Sequence, residues 1–220
     1  MLATIFLVKS FDNNNFAHGT AFSKTEVIQA AFVGLVVLGE AVTVNLIAGI
    51  LVSLLGVFGL IGWRELRQTS VGSMSRTALW GLLAGTGFAV SAVAYRGASL
   101  ALGGEETNMV VRAATTLVWV LTFQTLAMGA TLWRAHQSEF RQVLINWRVG
   151  FSVGLAGMLA SAGWFSALAM QNAASVRALG QFELVFAVLT STLIFREHIT
   201  RTEILSISLI VVGILAIITN

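Results

Sequence analysis

The sequence predicts an all-α, polytopic membrane protein that crosses the bilayer about seven times. Three observations carry that prediction. Hydrophobic residues fill 56% of the 220 positions and charged residues only 10%, against about 25% charged in an ordinary soluble domain. The mean hydropathy is +0.84. Apolar runs of roughly 20 residues, the length a helix needs to cross the hydrocarbon core, recur along the chain between short polar clusters. Those runs are continuous rather than alternating, and in lipid only helices or closed barrels satisfy every backbone group, so strands are not expected.

Seven segments meet the length requirement: 20–39, 44–63, 78–102, 109–133, 149–171, 177–195 and 202–219. The opening MLATIFLV is apolar but too short to span. It is a poor signal peptide, because no positive region precedes it and no small-residue cleavage site follows. Polar turns join the spans, the longest being RELRQTSVGSMSR and RAHQSEFRQVLINWR. Trp63, Trp80, Trp133 and Trp147 fall at proposed helix ends, where interfacial aromatics belong. Gly81-x-x-x-Gly85 and Gly150-x-x-x-Gly154 are expected to let neighbouring helices approach closely.

Composition also excludes chemistry. The chain has no cysteine, hence no disulfide framework and no Cys-based metal or redox centre. His18, His136 and His198 form no His-x-x-x-His pair, and no cofactor or metal is expected. A Gly-x-Ser-x-Gly nucleophile motif and adjacent aspartates are absent, which argues against an intramembrane enzyme. The pI near 10.2 reflects cations in the turns. Lipid headgroups explain these better than nucleic acid does.

An internal repeat organises the rest. Laid on itself at a shift of 157 residues, the chain aligns without a gap: Glu26 on Glu183, Glu40 on Glu197, Thr43 on Thr200 and Gly56 on Gly213, with about 14 identical positions. The later copy contains five helices. An odd number inverts one copy relative to the other, as in transporters whose site lies near the midplane between the halves. The copies divide the chain into residues 1–63, a joining loop 64–77 and residues 78–220. The earlier copy is expected to be incomplete, because Met1 aligns inside the third helix of the later one.

The runs GTAFSKTEVIQAAFVGLVVLGEAVT and VRALGQFELVFAVLTSTLIFREHIT, each closing on an acidic turn (Gly39-Glu40, Arg196-Glu197) before a glycine-containing helix, resemble an EamA-type member of the drug/metabolite transporter superfamily. The resemblance covers the whole chain. It implies a ten-helix inverted-repeat transporter of metabolites, amino acids or drugs, sited in a bacterial inner membrane, with a cavity lined by the fourth and ninth helices. Seven spans and a stub of that design are present. The alternative is a non-transporting fragment, or an assembly partner of a second membrane chain that completes the fold.

Charges inside spans are costly and mark candidate sites. Glu26 and Glu183 are the leading ones, with Gln29 and Gln181 nearby in sequence. Arg96 and Arg112 are candidate partners of Glu183, either in an ion pair or around a small-molecule substrate. Trp164, Tyr95 and Gln124 are weaker candidates, better read as packing. Glu40 and Glu197 are expected to cap the helix that follows each of them. The loop cations place Lys9, Lys24, Arg64 and seven others on the cytoplasmic side with Arg177 opposite, which leaves Asn220 outside. The family resemblance implies a cytoplasmic C-terminus instead.

Overall fold

A computed structural model describes residues 1–11, 16–61, 71–103, 108–196 and 199–219. Among the described residues the chain is helical, with no strand. In order the helices are α1 (Leu2–Ser10), α2 (Phe16–Lys24), α3 (Glu26–Leu38), α4 (Val44–Ile61), α5 (Val71–Ala101), α6 (Met109–Ala135), α7 (Gln137–Ile145), α8 (Trp147–Met170), α9 (Ala173–Leu179), α10 (Phe182–Phe195) and α11 (Arg201–Ile218). Among the described residues six stretches are long and apolar enough to cross a membrane: His18–Leu38, Arg76–Ala101, Met109–Ala135, Trp147–Met170, Ala173–Ile194 and Arg201–Ile218. Val44–Leu60 is a shorter apolar helix.

Three boundaries differ from the sequence reading. The sixth span begins at Ala173, not at 177, because Asn172 caps it: its side-chain oxygen accepts from Ser175 N at 2.8 Å. The loop after the fourth span contains α7, an exposed helix that the polar residues of RAHQSEFRQVLINWR had disguised. Residues 71–77 of the proposed joining loop already belong to α5. Trp63, Glu197 and His198 lie outside the described residues.

Two spans are broken, and at nearly the same place. Between α2 and α3 the Thr25 and Ser23 hydroxyls donate to the Phe22 and Thr20 carbonyls at 2.6 and 2.7 Å, three residues back. Thr25 N bonds Phe22 O and Ile28 N bonds Thr25 O, also three apart. Between α9 and α10, Gln181 N bonds Ala178 O, Glu183 N bonds Gly180 O, and Leu184 N bonds Gln181 O. Each is a tightened turn inside an otherwise α-helical span, the usual mark of a hinge or site. At the shift of 157 residues the two breaks come within two residues of each other, Thr25 corresponding to Phe182 beside the break at Gly180 and Gln181. Beyond them the helix ends coincide: Gly39 and Arg196 both end their helices with positive φ, 66° and 56°.

The chain divides into two compact units, residues 1–94 with 172–220, and residues 95–171. In the first, α4 packs along α11. Gly49 lies against Gly213 and Ile217, and Gly56 against Ser206 and Ile210, so the two helices run antiparallel. The contact of Gly49 with Gly213 becomes the contact of Gly56 with Ser206 when each residue is exchanged for its 157-shift counterpart. Corresponding helices of the two copies thus run in opposite directions and meet through equivalent surfaces, which supports an inverted repeat. By contrast α2–α3 runs parallel to α5, with Gly81 against Phe22 and Gly85 against Ser23 and Glu26. Core residues Val27, Ala30, Leu46, Ile50, Ala89 and Ala174 knit these helices together.

In the second unit α6 packs on α8 through Ala113, Leu117, Phe165 and Ala169. Tyr95 stacks on Phe165 with centroids 4.7 Å apart. Gly150 and Gly154 were expected in a tight helix contact; nothing lies within 4 Å of either, and residues 141–160 are exposed throughout.

The start of α11 is a full capping box. Glu203 N donates to the Thr200 hydroxyl at 3.3 Å, and Thr200 N donates to the Glu203 carboxylate at 2.7 Å. Thr200→Ala is expected to cost about 1 kcal/mol, visible as a lowered unfolding midpoint of the detergent-solubilised protein; an unchanged midpoint would show that the cap does not contribute.

Candidate functional site

The two broken spans bring four charges together. Glu26 begins α3 and Glu183 stands in the first turn of α10, each just past its break. Arg177 is in the last turn of α9 and Lys24 in the last turn of α2, each just before. Glu26 lies two residues from the middle of its span, and Glu183 at the middle of its own. The pairing is crossed between the copies. Arg177 donates to the Glu26 carboxylate at 2.9 Å. Lys24 donates to Glu183. The Arg177–Glu26 pair is enclosed, with side chains 18% and 10% exposed. Its guanidinium also sits over the Phe88 ring, 5.5 Å from the centroid. In the other pair Lys24 is 13% exposed and Glu183 59%.

This corrects the ion-pair reading of the sequence. Glu183 takes Lys24 as its partner, not Arg96 or Arg112. Arg96 donates to the Leu168 and Ala169 carbonyls at 3.1 and 2.9 Å, where a cation satisfies the orphan acceptors at the end of α8. Arg112 lies in the first turn of α6, its side chain against Gly103. Both belong to the second compact unit. Arg177, a loop charge by sequence, stands inside a span as the partner of Glu26. Lys24 was likewise counted in a loop and stands inside a span, so neither informs orientation. The available signal was the repeat itself: Lys24 aligns with Gln181 and Arg177 with Thr20, and the two cations precede the matched glutamates of their segments by two and six residues.

The two candidate amides have different surroundings. Gln29 donates to the Thr25 hydroxyl at 3.3 Å and reaches the Leu82 carbonyl at 3.5 Å. Gln181 is 1% exposed, and neither atom of its amide has a protein partner among the described residues. Gln181 N bonds Ala178 O, so Gln181 stands in the tightened turn just past the helix that carries Arg177.

Glu40 caps a helix far from it in sequence. Its carboxylate accepts from Ala173 N at 3.3 Å, at the positive end of α9. The α4 cap is Thr43, whose hydroxyl accepts from Leu46 N at 3.2 Å. Gly34 makes room for the Glu40 side chain: a Cβ there would lie 2.7 Å from Oε2. The sequence pattern placed an acid at a helix start; only the packing of α3 against α9 chose which helix.

Apolar spanning helices with a charge cluster at two helix breaks define a multi-pass integral membrane protein. Residues 75–219 match the EamA-like transporter family. The chain therefore belongs to the EamA-like transporters, in keeping with the drug/metabolite superfamily that its glutamate helices resemble. No curated protein was found to match the chain.

Proposed function

We propose that the protein moves small organic solutes across the membrane by alternating access, with Lys24, Glu26, Arg177 and Glu183 at the transport site. The observation that carries this reading is the crossed pairing of the four charges at two neighbouring helix breaks near mid-span. Broken helices present unsatisfied backbone groups and charges at mid-depth, where transporters hold substrate and coupling ions. The antiparallel pairing of α4 with α11 supports residues 1–63 and 78–220 as copies of one inverted repeat that rock against each other. Membership of a transporter family and the lack of a nucleophile or metal-ligand motif both favour transport over catalysis.

Purified protein reconstituted into liposomes is expected to release or accumulate at least one member of a labelled metabolite panel faster than protein-free vesicles. Glu26→Gln keeps the side chain's shape but removes the charge that holds Arg177; it is expected to slow that flux by about tenfold or more. Absence of protein-dependent flux for the whole panel, or full flux through E26Q, would refute this assignment.

A second reading is an assembly partner of another membrane chain. The open faces of Gly150, Gly154 and Gly157, which could admit a helix at close range, favour it. Cross-linking in native membranes to a second polypeptide, with no flux from the isolated protein, would select this alternative.

A further inference from the structure

We infer that α7 lies in the plane of the membrane surface, and that Arg134, Arg141 and Arg148 around it bind the headgroups of anionic phospholipids. The inference is independent of the transport-site reading, because it concerns the other compact unit, residues 95–171.

A seven-residue period points to it. Trp133-Arg134, Phe140-Arg141 and Trp147-Arg148 repeat an aromatic–arginine step three times. One step falls in the last turn of α6, one in α7 and one at the start of α8. Packing brings all three to one end of the helix pair. The early residues Ala113 and Leu117 of α6 pack with the late residues Phe165 and Ala169 of α8, so the two helices are antiparallel and α7 bridges their remaining ends. At 1.5 Å per residue, Trp133 and Trp147 stand roughly 24 and 27 Å along their helices from Leu117 and Phe165, so they reach nearly the same level. Exposed tryptophans at one level, at the ends of two spans, mark the membrane–water interface.

The helix suits that level. Phe140, Val143 and Leu144, at i, i+3 and i+4, share one face of α7, and Gln142 lies on the opposite one. Val143 and Leu144 are exposed, so nothing among the described residues covers them; Phe140 is half-buried. A helix with one apolar and one polar face rests in the interface, its apolar side chains among the acyl chains. Charge then selects the lipid. Three arginines and one glutamate, with His136 neutral, give residues 133–148 a net charge of +2. Glu139 lies 3.8 Å from Nδ1 of His136, and no carboxylate pairs with Arg134, Arg141 or Arg148 among the described residues. The Arg148 guanidinium sits 5.8 Å from the Trp147 ring centroid, which holds its charge at the depth of the aromatic ring. Guanidinium groups at that depth meet lipid phosphates and match them with paired donors. A headgroup of net negative charge offsets the excess cation; a zwitterionic headgroup carries its own ammonium and does not.

The test uses the purified full chain in detergent, titrated with phosphatidylglycerol or phosphatidylcholine of the same acyl chains and read by native mass spectrometry. Phosphatidylglycerol is expected to bind about tenfold or more tightly. R134Q/R141Q/R148Q is expected to lose that preference, whereas R134K/R141K/R148K keeps most of it, which separates lost charge from lost folding. The chain has no cysteine, so Leu144→Cys and Gln142→Cys each place a single spin label on α7. In liposomes the label at 144 is expected to be relaxed by oxygen dissolved in the lipid, and the label at 142 by an aqueous nickel chelate. Equal binding of the two lipids overturns the inference, as does a preference kept by the glutamine variant or lost by the lysine variant. Inorganic phosphate that displaces phosphatidylglycerol at equal concentration also overturns it, assigning the arginines to a soluble anion. Two labels that both face water place α7 off the bilayer, and two that are both shielded place it under a protein partner; either result overturns it.

Discussion

Arg177→Met is expected to destabilise the protein by about 3–5 kcal/mol, because it leaves the Glu26 carboxylate buried near mid-span with its bonded partner gone. The pair is enclosed, at 18% and 10% side-chain exposure, so solvent screening takes little of that penalty away. The adjoining Phe88 face adds a smaller loss of cation–π attraction. The double variant R177M/E26L removes both charges and fills similar volume. It is expected to recover most of the stability, since a buried ion pair replaced by apolar side chains is often neutral. Unfolding midpoints of the wild type, both single variants and the double variant measure this directly. If R177M alone is as stable as the wild type, the pair is not an element of the fold.

The second large effect is steric. In Gly213→Val the new Cβ would sit 2.5 Å from Ser53 N and 2.6 Å from Gly49 O. Both are backbone atoms of α4, which no rotamer change can move. Overpacking a core typically costs ~1–3 kcal/mol, and here the helix itself must shift, so the cost is expected at or above the top of that range. Gly56→Val is the matched experiment on the other copy, where the Cβ would meet Ser206 O at 2.5 Å and Ile210 N at 2.8 Å. Similar losses from the two variants would reflect the exchange symmetry of the α4–α11 contact. A wild-type midpoint for either would contradict the close approach. Gly150→Val, with nothing within 4 Å, serves as the control and is expected to leave the isolated protein's stability nearly unchanged.

The spans were legible because each is a long apolar run, and hydrophobic length is a local property. The repeat was legible because matching residues keep their spacing. Gly39 aligned with Arg196, and Thr43 with Thr200, and both pairs prove to end or start helices in corresponding places. The partners were not legible. The sequence offered Arg96 and Arg112 as partners for Glu183 and passed over Lys24, and nothing in a linear sequence ranks cations so far from it. Arg177 looked like a turn residue because the apolar run thickens only after it. The capping role of Glu40 was readable in kind but not in target, since the receiving N–H belongs to Ala173, 133 positions away.

By itself, then, the sequence determined that this is a helical membrane protein, that two of its segments align without a gap, and that a glutamate stands inside a span in each. Those properties follow from hydrophobicity and spacing, which are written residue by residue. Only the tertiary structure decided that the glutamates take partners from each other's segment, that Arg96 serves a helix end, and that the Gln181 amide is buried without a protein partner among the described residues. Side-chain pairing across more than 150 residues depends on the antiparallel register and tilt of packed helices. Those are set by the close approach of glycines on α4 and α11 and by small side chains along α3 and α5, a collective outcome that no local stretch of the chain contains.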